Sequence, residues 1–291
     1  MCIRDRLNGG VRAEFTIYKR AENSYYLVFA GASERHDWDY LTKLAPKDGS
    51  VTLQKITTQM GVLVLAGPKS RDVLQKLTDT DLSNHNFKWL SGKSINVGYA
   101  QAEALRVNFV GELGWELHHP IEMQNYIFDE LMRVGAVFNI KPFGIRAMDS
   151  MRIEKSYRLI PREMSIEYSA LESGLDRFVK LDKACDFVGK AGLSAWQKKG
   201  FNNTFVTLEV HGITDADARG SEGIYKNGEL IGRATSGGFG FRVNKSLALG
   251  MVLSNYAIEG AELEIEILGQ RHRATVIPES AFDAQNLALR S

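Results

Sequence analysis

The sequence predicts a mixed α and β chain whose last third is a small all-β domain of barrel or sandwich type. Three observations carry that reading. Strand-like and helix-like stretches alternate up to about residue 200, as in VLVLAGPKSRDVLQKLT, where an apolar run meets a Gly-Pro turn and then a helical pattern. Beyond KKGFNN at 198–203, the segments TFVTLEV, GIYKNGELIGRATSGG, SLALGMVL, AELEIEILG and HRATVIP are short and strand-like, with turn signals such as Asn227-Gly228. The chain has 291 residues, 44% of them hydrophobic, enough for about two domains with cores of their own.

Each element follows from its local pattern. VRAEFTIYK and SYYLVFAGAS, on either side of a polar AEN turn, read as a hairpin. That hairpin comes so early that the chain is expected to open partway through a fold, with MCIRDR as foreign sequence. ERHDWDYLTKLA at 34–45 sets Trp38, Leu41, Leu44 and Ala45 at helical spacing, and Pro46 stops the helix. GVLVLAG at 61–67 reads as a buried strand, and the helix after it places Val73, Leu74 and Leu77 on one side. From 104, ALRVNFVGELGWELHH reads as two strands joined at a glycine-containing turn. Met123, Tyr126, Ile127, Leu131 and Val134 then define an amphipathic helix that packs on the sheet. A second helix over 143–156 is expected to turn Phe143, Ala147, Met148 and Met151 inward. Arg152, Lys155 and Arg158 fall near its end, where cations suit the helix dipole.

Composition narrows the function. Lys plus Arg (36) nearly balances Asp plus Glu (35), so a net charge of +1 provides no whole-molecule field for nucleic acid or an acidic membrane. No run approaches the roughly 20 apolar residues of a membrane span. Only Cys2 and Cys185 are present, which points to a reducing compartment, the cytoplasm or the mitochondrial matrix, and not to a disulfide framework.

The most informative stretch is FVGELGWELHH at 109–119. A carboxylate such as Glu116, beside Gly111 and Gly114, can accept two parallel N–H bonds from a guanidine-like ring edge such as a pterin carries. Against this stands the plainer reading that Glu112 and Glu116 are edge-strand charges that discourage aggregation. His118 and His119 are adjacent, so on a strand they point to opposite faces and cannot share a metal; no metal site is expected. TSGGFGFR at 235–242 lies among strands and opens no helix, so it is a tight turn or bulge, neither a P-loop nor a dinucleotide fingerprint. The cations of RIEKSYR at 152–158 could meet the carboxylates of a polyanionic ligand; as an isolated run they read as a solvated helix end.

In order, GGVRAEFTIY, VLVLAGPKSRDVLQKLT, FVGELGWELHHP, FGIRAMDSMRIEKSYR, ALESGLDRFVKLDKACDFVGKAGL and GRATSGGFGFRVNKSLALGMV resemble the aminomethyltransferase family, that of the glycine cleavage T-protein. Within it, GELGWEL, MDSMRIEKSYR and LESGLDRFVKLDK most resemble the folate-binding part of dimethylglycine and sarcosine dehydrogenases. The resemblance runs from about residue 8 to 277. It implies an α+β fold: a tetrahydrofolate-binding domain over 7–199 with ferredoxin-like and α/β portions, truncated at its N-terminus, then a β-barrel domain over 200–291. It also implies residue roles. Glu14, in the hairpin, takes the position of the family's acid near the reactive folate nitrogens. Glu116 takes that of the pterin-binding carboxylate, and Phe109, Leu117, His118 and Arg177 take flanking cofactor positions.

The departures are specific. Relatives often carry tyrosine at Phe109 and an aromatic at Arg177, T-proteins carry aspartate at Glu14, and the Trp-Gly that commonly follows RIEKSYR is replaced by LIPRE at 159–163. The implied activity is transfer of a one-carbon unit from an oxidised N-methyl amine, of dimethylglycine or sarcosine type, to tetrahydrofolate. The product is 5,10-methylenetetrahydrofolate. The amine-oxidising FAD would sit in a covalently linked domain upstream, and the partners are small molecules, not nucleic acid or membrane. The alternatives are a stand-alone glycine cleavage T-protein and a demethylase of the dimethylsulfoniopropionate type. A non-enzymatic folate-binding relative would carry KGCYxGQ where this chain has EKSYRLIPRE.

Overall fold

The structure, a computed structural model, describes residues 2–5, 9–213 and 215–291. Leu7 and Asn8, where the folate-binding domain was expected to begin, lie outside the described residues. The chain divides into two compact units. One holds the chain up to Leu41 together with Asp149–Ala284, and the other holds Thr42–Met148 with Gln285–Ser291.

The first unit opens with the expected hairpin, β2 (Val11–Ala21) and β3 (Ser24–Val28), preceded by β1 (Cys2–Asp5) in the order β1-β2-β3. The sequence reading treats MCIRDR as foreign to the fold. Residues 2–5 instead pair antiparallel with β2, placing Ile3 opposite Glu14, because a free strand edge offers unpaired N–H and C=O groups to any extended segment. Helix α1 (Glu34–Leu44) begins in the first unit, ends in the second and stops two residues before Pro46.

The second unit holds β4 (Met60–Ala66), α2 (Ser70–Gln75), β5 (Gly92–Val97), β6 (Ala100–Leu105), β7 (Gly114–Pro120) and α3 (Gln124–Gly135). Its antiparallel sheet has the order β4-β7-β6-β5, so β7 is an interior strand. Val73, Leu74 and Leu77 from the α2 region and Ile127 and Leu131 from α3 cover Ile95, Val97, Trp115 and Leu117, as their spacing required.

Helix α4 (Ile145–Glu154) begins in the second unit and ends in the first, where α5 (Lys190–Lys199) follows. Strands β8 (Asn203–Val210), β9 (Gly223–Lys226), β10 (Glu229–Gly240), β11 (Lys245–Leu253), β12 (Glu262–Ile267) and β13 (Gln270–Ile277) close a barrel in the order β10-β11-β8-β13-β12-β9. Period-two patterning fills it: Leu263, Ile265 and Ile267 of ELEIEI point inward, as do Val206, Leu208 and Val210. TSGGFG is the second half of β10, with a register shift between Ala234 and Ser236, which matches the bulge reading. Its last glycine is required by packing, since a Cβ on Gly240 would lie 2.8 Å from Glu154 Cγ.

After the barrel, α6 (Leu287–Arg290) returns to the second unit. There Arg71 and Arg106 donate to the Ser291 carbonyl at 2.7 and 3.0 Å, and Asn84 donates to the Arg290 carbonyl at 3.1 Å. Burial, aided by the charge of Arg71, pushes the Arg106 guanidinium down to about 10. Among the described residues no helix is long and apolar enough to cross a membrane.

Helix α4 inverts its expected orientation. Phe143 and Ala147 are exposed, whereas Arg152, Glu154, Lys155 and Arg158 are buried. The cause is the outer wall of the barrel: Ile153 packs with Phe205, Leu247, Leu249 and Met251, carrying its polar neighbours inside. Each is paired there, as buried charge requires. Arg152 meets Asp149 at 2.6 Å and Glu163 at 3.2 Å and donates to Ser236 Oγ at 2.8 Å. Glu163, from the LIPRE segment, also accepts from Thr235 Oγ1 at 2.7 Å and the Leu159 N–H at 2.9 Å. Lys155 donates to the Asp283 carbonyl at 2.7 Å, and Arg158 pairs with both oxygens of Glu279. The cations of RIEKSYR therefore form neither a solvated helix end nor a ligand-binding patch.

Removing one partner of a buried pair strands the other charge. Arg152→Met should therefore lower unfolding free energy by about 3–5 kcal/mol in urea titrations. Glu279→Gln, at a carboxylate 43% exposed, should lower it by about 1 kcal/mol or less.

Candidate functional site

GELGWEL builds the site of the second unit. Asn108 shapes the loop before it: its Oδ1 accepts from the N–H groups of Val110 and Gly111 at 3.0 and 3.1 Å, and its Nδ2 donates to the Glu112 carbonyl at 2.7 Å. Gly111 closes this turn at φ +73°, which a side chain disfavours. A Cβ on Gly114 would lie 2.4 Å from the Leu65 carbonyl and push β4 from β7. The two glycines thus serve the turn and the strand contact. Asn108 escaped the sequence reading, although an Asn shortly before a glycine is a recognised turn signal.

Along β7 the side chains alternate. Trp115 and Leu117 enter the core under α2 and α3, and Glu116 and His118 take the opposite face. Glu116 stands between Val64 of β4 and Leu105 of β6, on an interior strand. The edge-strand explanation of this charge therefore fails. Its side chain is 22% exposed and borders a cavity of about 630 Å³ together with Val62, Val64, Phe109, Phe143 and Ile145. Glu116 is the one acid among the described lining residues; Lys69 and Lys141 are the cations. The cavity accounts for two departures from expectation. Val62 and Val64 of the supposedly buried β4 are 45% and 39% exposed because they form its wall, and Phe143 faces it and not a core.

Of the cofactor residues expected from sequence, Phe109 and Glu116 share this cavity. Leu117 does not, because one step along a strand reverses the face and its side chain is wholly in the core. His118 is not a lining residue either: its ring is buried behind Glu116, with Nε2 3.2 Å from Glu116 Oε2. His119 points its Nδ1 to the Pro120 carbonyl at 2.9 Å. Among the described residues no group of three or more His, Cys, Asp or Glu is placed to hold a metal ion.

Glu14 and Arg177 belong to the first unit. Glu14 is half-buried on β2, and burial pushes its carboxyl from the usual 4.5 up to about 7. Arg177 is exposed on the short turn Asp176–Phe178, with its guanidinium 4.9 Å from the centre of the Phe178 ring. Burial raises the Tyr157 hydroxyl above its ordinary value, with the charge of Arg177 opposing the shift.

An apolar cavity with one carboxylate on its wall suits a flat heterocycle that presents an N–H edge: the walls desolvate the ring and the carboxylate orients it. The chain is similar to several known proteins. Residues 4–183 match the GCVT N-terminal domain, and residues 203–283 match the glycine cleavage T-protein C-terminal barrel domain. The mitochondrial dimethylglycine dehydrogenase of Homo sapiens is 39% identical over 272 residues, 93% of this chain and 31% of that protein. The mitochondrial sarcosine dehydrogenase of Mus musculus is 32% identical over 289 residues, 97% of this chain and 31% of its own length. The chain thus spans less than a third of these two relatives. An aminomethyltransferase of Desulfitobacterium hafniense (strain Y51) is 32% identical over 95% of this chain and 74% of its own. The crystal structure of glycine cleavage system aminomethyltransferase T from Bartonella henselae shares the fold, with a TM-score of 0.84 over 97% of this chain and 75% of that one at 22% identity. Two matched domains and a relative covered over most of its length place this chain in the folate-dependent aminomethyltransferase family, homologous to the C-terminal part of dimethylglycine and sarcosine dehydrogenases.

Proposed function

We propose that this chain binds reduced folate in the cavity of the second unit and serves in one-carbon transfer from an oxidised N-methyl amine of the dimethylglycine or sarcosine type, giving 5,10-methylenetetrahydrofolate. The observation that carries the proposal is Glu116, a carboxylate on an interior strand and the one acid among the described residues around an apolar cavity. The identity to dimethylglycine dehydrogenase supports the choice of amine. In this reading the flavin that oxidises the amine belongs to a separate domain of a longer protein.

Bound tetrahydrofolate supplies the nitrogens that accept the one-carbon unit; the chain supplies recognition, water exclusion and a proton site. Glu116 accepts hydrogen bonds from the pterin's N–H edge, and Phe109 offers an apolar ring surface beside it. Val62, Val64 and Ile145 keep bulk water off the ring, which matters because water would divert the one-carbon unit to formaldehyde. Glu14 is the proposed acid and base. A carboxyl with a pKa of about 7 is divided between its two forms near neutrality, so it can hold or release a proton at little free-energy cost. Arg177 is assigned to a carboxylate of the ligand or of the amine, as a cation in place of the aromatic common at this position.

Titration calorimetry with tetrahydrofolate tests the site. Glu116→Ala should weaken binding by about 100-fold, the effect of removing one partner of a charge-assisted contact in a partly desolvated pocket. An unchanged dissociation constant in a folded variant would move the pterin site elsewhere. In the full-length enzyme, Glu14→Gln should retain folate binding and amine oxidation while a larger share of one-carbon units leaves as formaldehyde. A normal methylenetetrahydrofolate yield would remove Glu14 from the chemistry, and 5-methyltetrahydrofolate as product would favour the demethylase alternative.

Glu14 also predicts a pH dependence of stability. Its pKa is higher folded than unfolded, so the native state binds the extra proton. The stabilisation is complete below about pH 4.5 and is lost as pH rises through about 7. Allowing for partial exposure, it amounts to about 2 kcal/mol. Thermal melts should show Glu14→Gln gaining stability relative to the wild-type chain above pH 7 and matching it near pH 4.

A further inference from the structure

Glu116 and His118 are two residues apart on β7, and that spacing puts both on the face opposite Trp115 and Leu117. Their environments differ. Glu116 reaches the cavity with 22% of its side chain exposed, whereas the imidazole of His118 is 0% exposed. Across the sheet His118 faces Val62 of β4 and Glu103 of β6. Its Nε2 lies 3.2 Å from Glu116 Oε2, and an ionised carboxylate only accepts, so Nε2 carries the hydrogen and donates it. This is the one hydrogen bond made to the Glu116 carboxylate by the described residues, and it engages a single oxygen.

We propose that His118 is the positioning residue of the site: its Nε2–H fixes the rotamer of Glu116 and leaves the second carboxylate oxygen, Oε1, free to accept from the ligand. A glutamate side chain has three rotatable bonds, and in an apolar cavity few other groups restrain it. Without His118 the carboxylate would have to be ordered at the moment of binding, at the expense of affinity. The anchor sits behind the carboxylate, on the same strand and shielded from the cavity, so it orients the acceptor without occupying the space meant for the ring. The role in ligand binding rests on the reading of Glu116 as the pterin contact; the pairing itself does not.

Two measurements on the full chain test the proposal separately from the folate reading. The first needs no ligand. In nitrogen-15 spectra of histidine-labelled protein, His118 should show the Nε2–H tautomer, with a side-chain signal that shifts in Glu116→Gln. A Nδ1–H tautomer, or a signal indifferent to that substitution, would overturn the pairing whatever folate does. The second is a binding cycle with tetrahydrofolate. His118→Leu should weaken binding about tenfold, and His118→Gln, which returns a donor nitrogen to nearly the place of Nε2, should recover most of the loss. In a Glu116→Ala background His118→Leu should have no further effect. Equal weakening in both backgrounds, or no recovery by glutamine, would reduce His118 to general packing. Should Glu116→Ala alone leave affinity unchanged, the folate reading falls, and with it the positioning role in binding, while the tautomer measurement still decides the pair.

Discussion

The buried ion pair between Arg152 and Glu163 is the constraint around which the first unit is arranged. Both side chains are fully enclosed, so each charge depends on partners within the protein. Their shared partner Ser236 lies on β10, so the pair joins the end of α4, the 159–163 segment and the barrel wall in one hydrogen-bonded group. A second buried carboxylate, Glu154, lies on the same helix. Gly240 must lack a side chain because Glu154 presses against β10, and Glu154 is in turn held by Arg242. The LIPRE segment provides Glu163, which with Asp149 pairs the internal arginine.

In the second unit β7 plays the corresponding part, with two faces assigned to different work. Trp115 and Leu117 anchor the strand in the core; Glu116 and His118 face the other way, toward the cavity wall and its support. Because β7 is flanked on both sides, its backbone is held by two ladders, and a side chain mounted on it is placed more firmly than one on a loop. Phe109, which does come from a loop, gains its order from the Asn108 side chain instead.

What the sequence disclosed depended on how far each feature reaches. The β2–β3 hairpin, the β4-to-α2 turn, the amphipathic α3 and the barrel strands were legible because each is written in a local period or turn residue. Helix α4 was not. Its apolar residues border a cavity and its polar ones are buried against a wall that lies some 50 to 100 residues further along, so its periodicity is intact while its sense is reversed. Glu116 stood out from the residues of FVGELGWELHH themselves, whereas Glu14 was singled out through family resemblance alone. The raised pKa of Glu14 depends on what surrounds β2 in three dimensions, which no pattern near residue 14 records. Leu117 and His118 show what adjacency in a motif leaves open: of the letters beside Glu116, one side chain enters the core and the other is buried against the Glu116 carboxylate.

The two units are interleaved along the chain: the second takes Thr42–Met148 and then Gln285–Ser291, while the first takes the chain up to Leu41 and resumes at Asp149. On a ribosome this ordering has a kinetic meaning. The sheet of the second unit emerges before the barrel, yet the seats for its last strap, at Arg71, Asn84 and Arg106, stay vacant until some 140 further residues have been made. The hairpin likewise waits for the segment around Met164 and Ala170 that covers Val11. Such nonlocal closures fold slowly and leave apolar surface uncovered until the closing segment has been made.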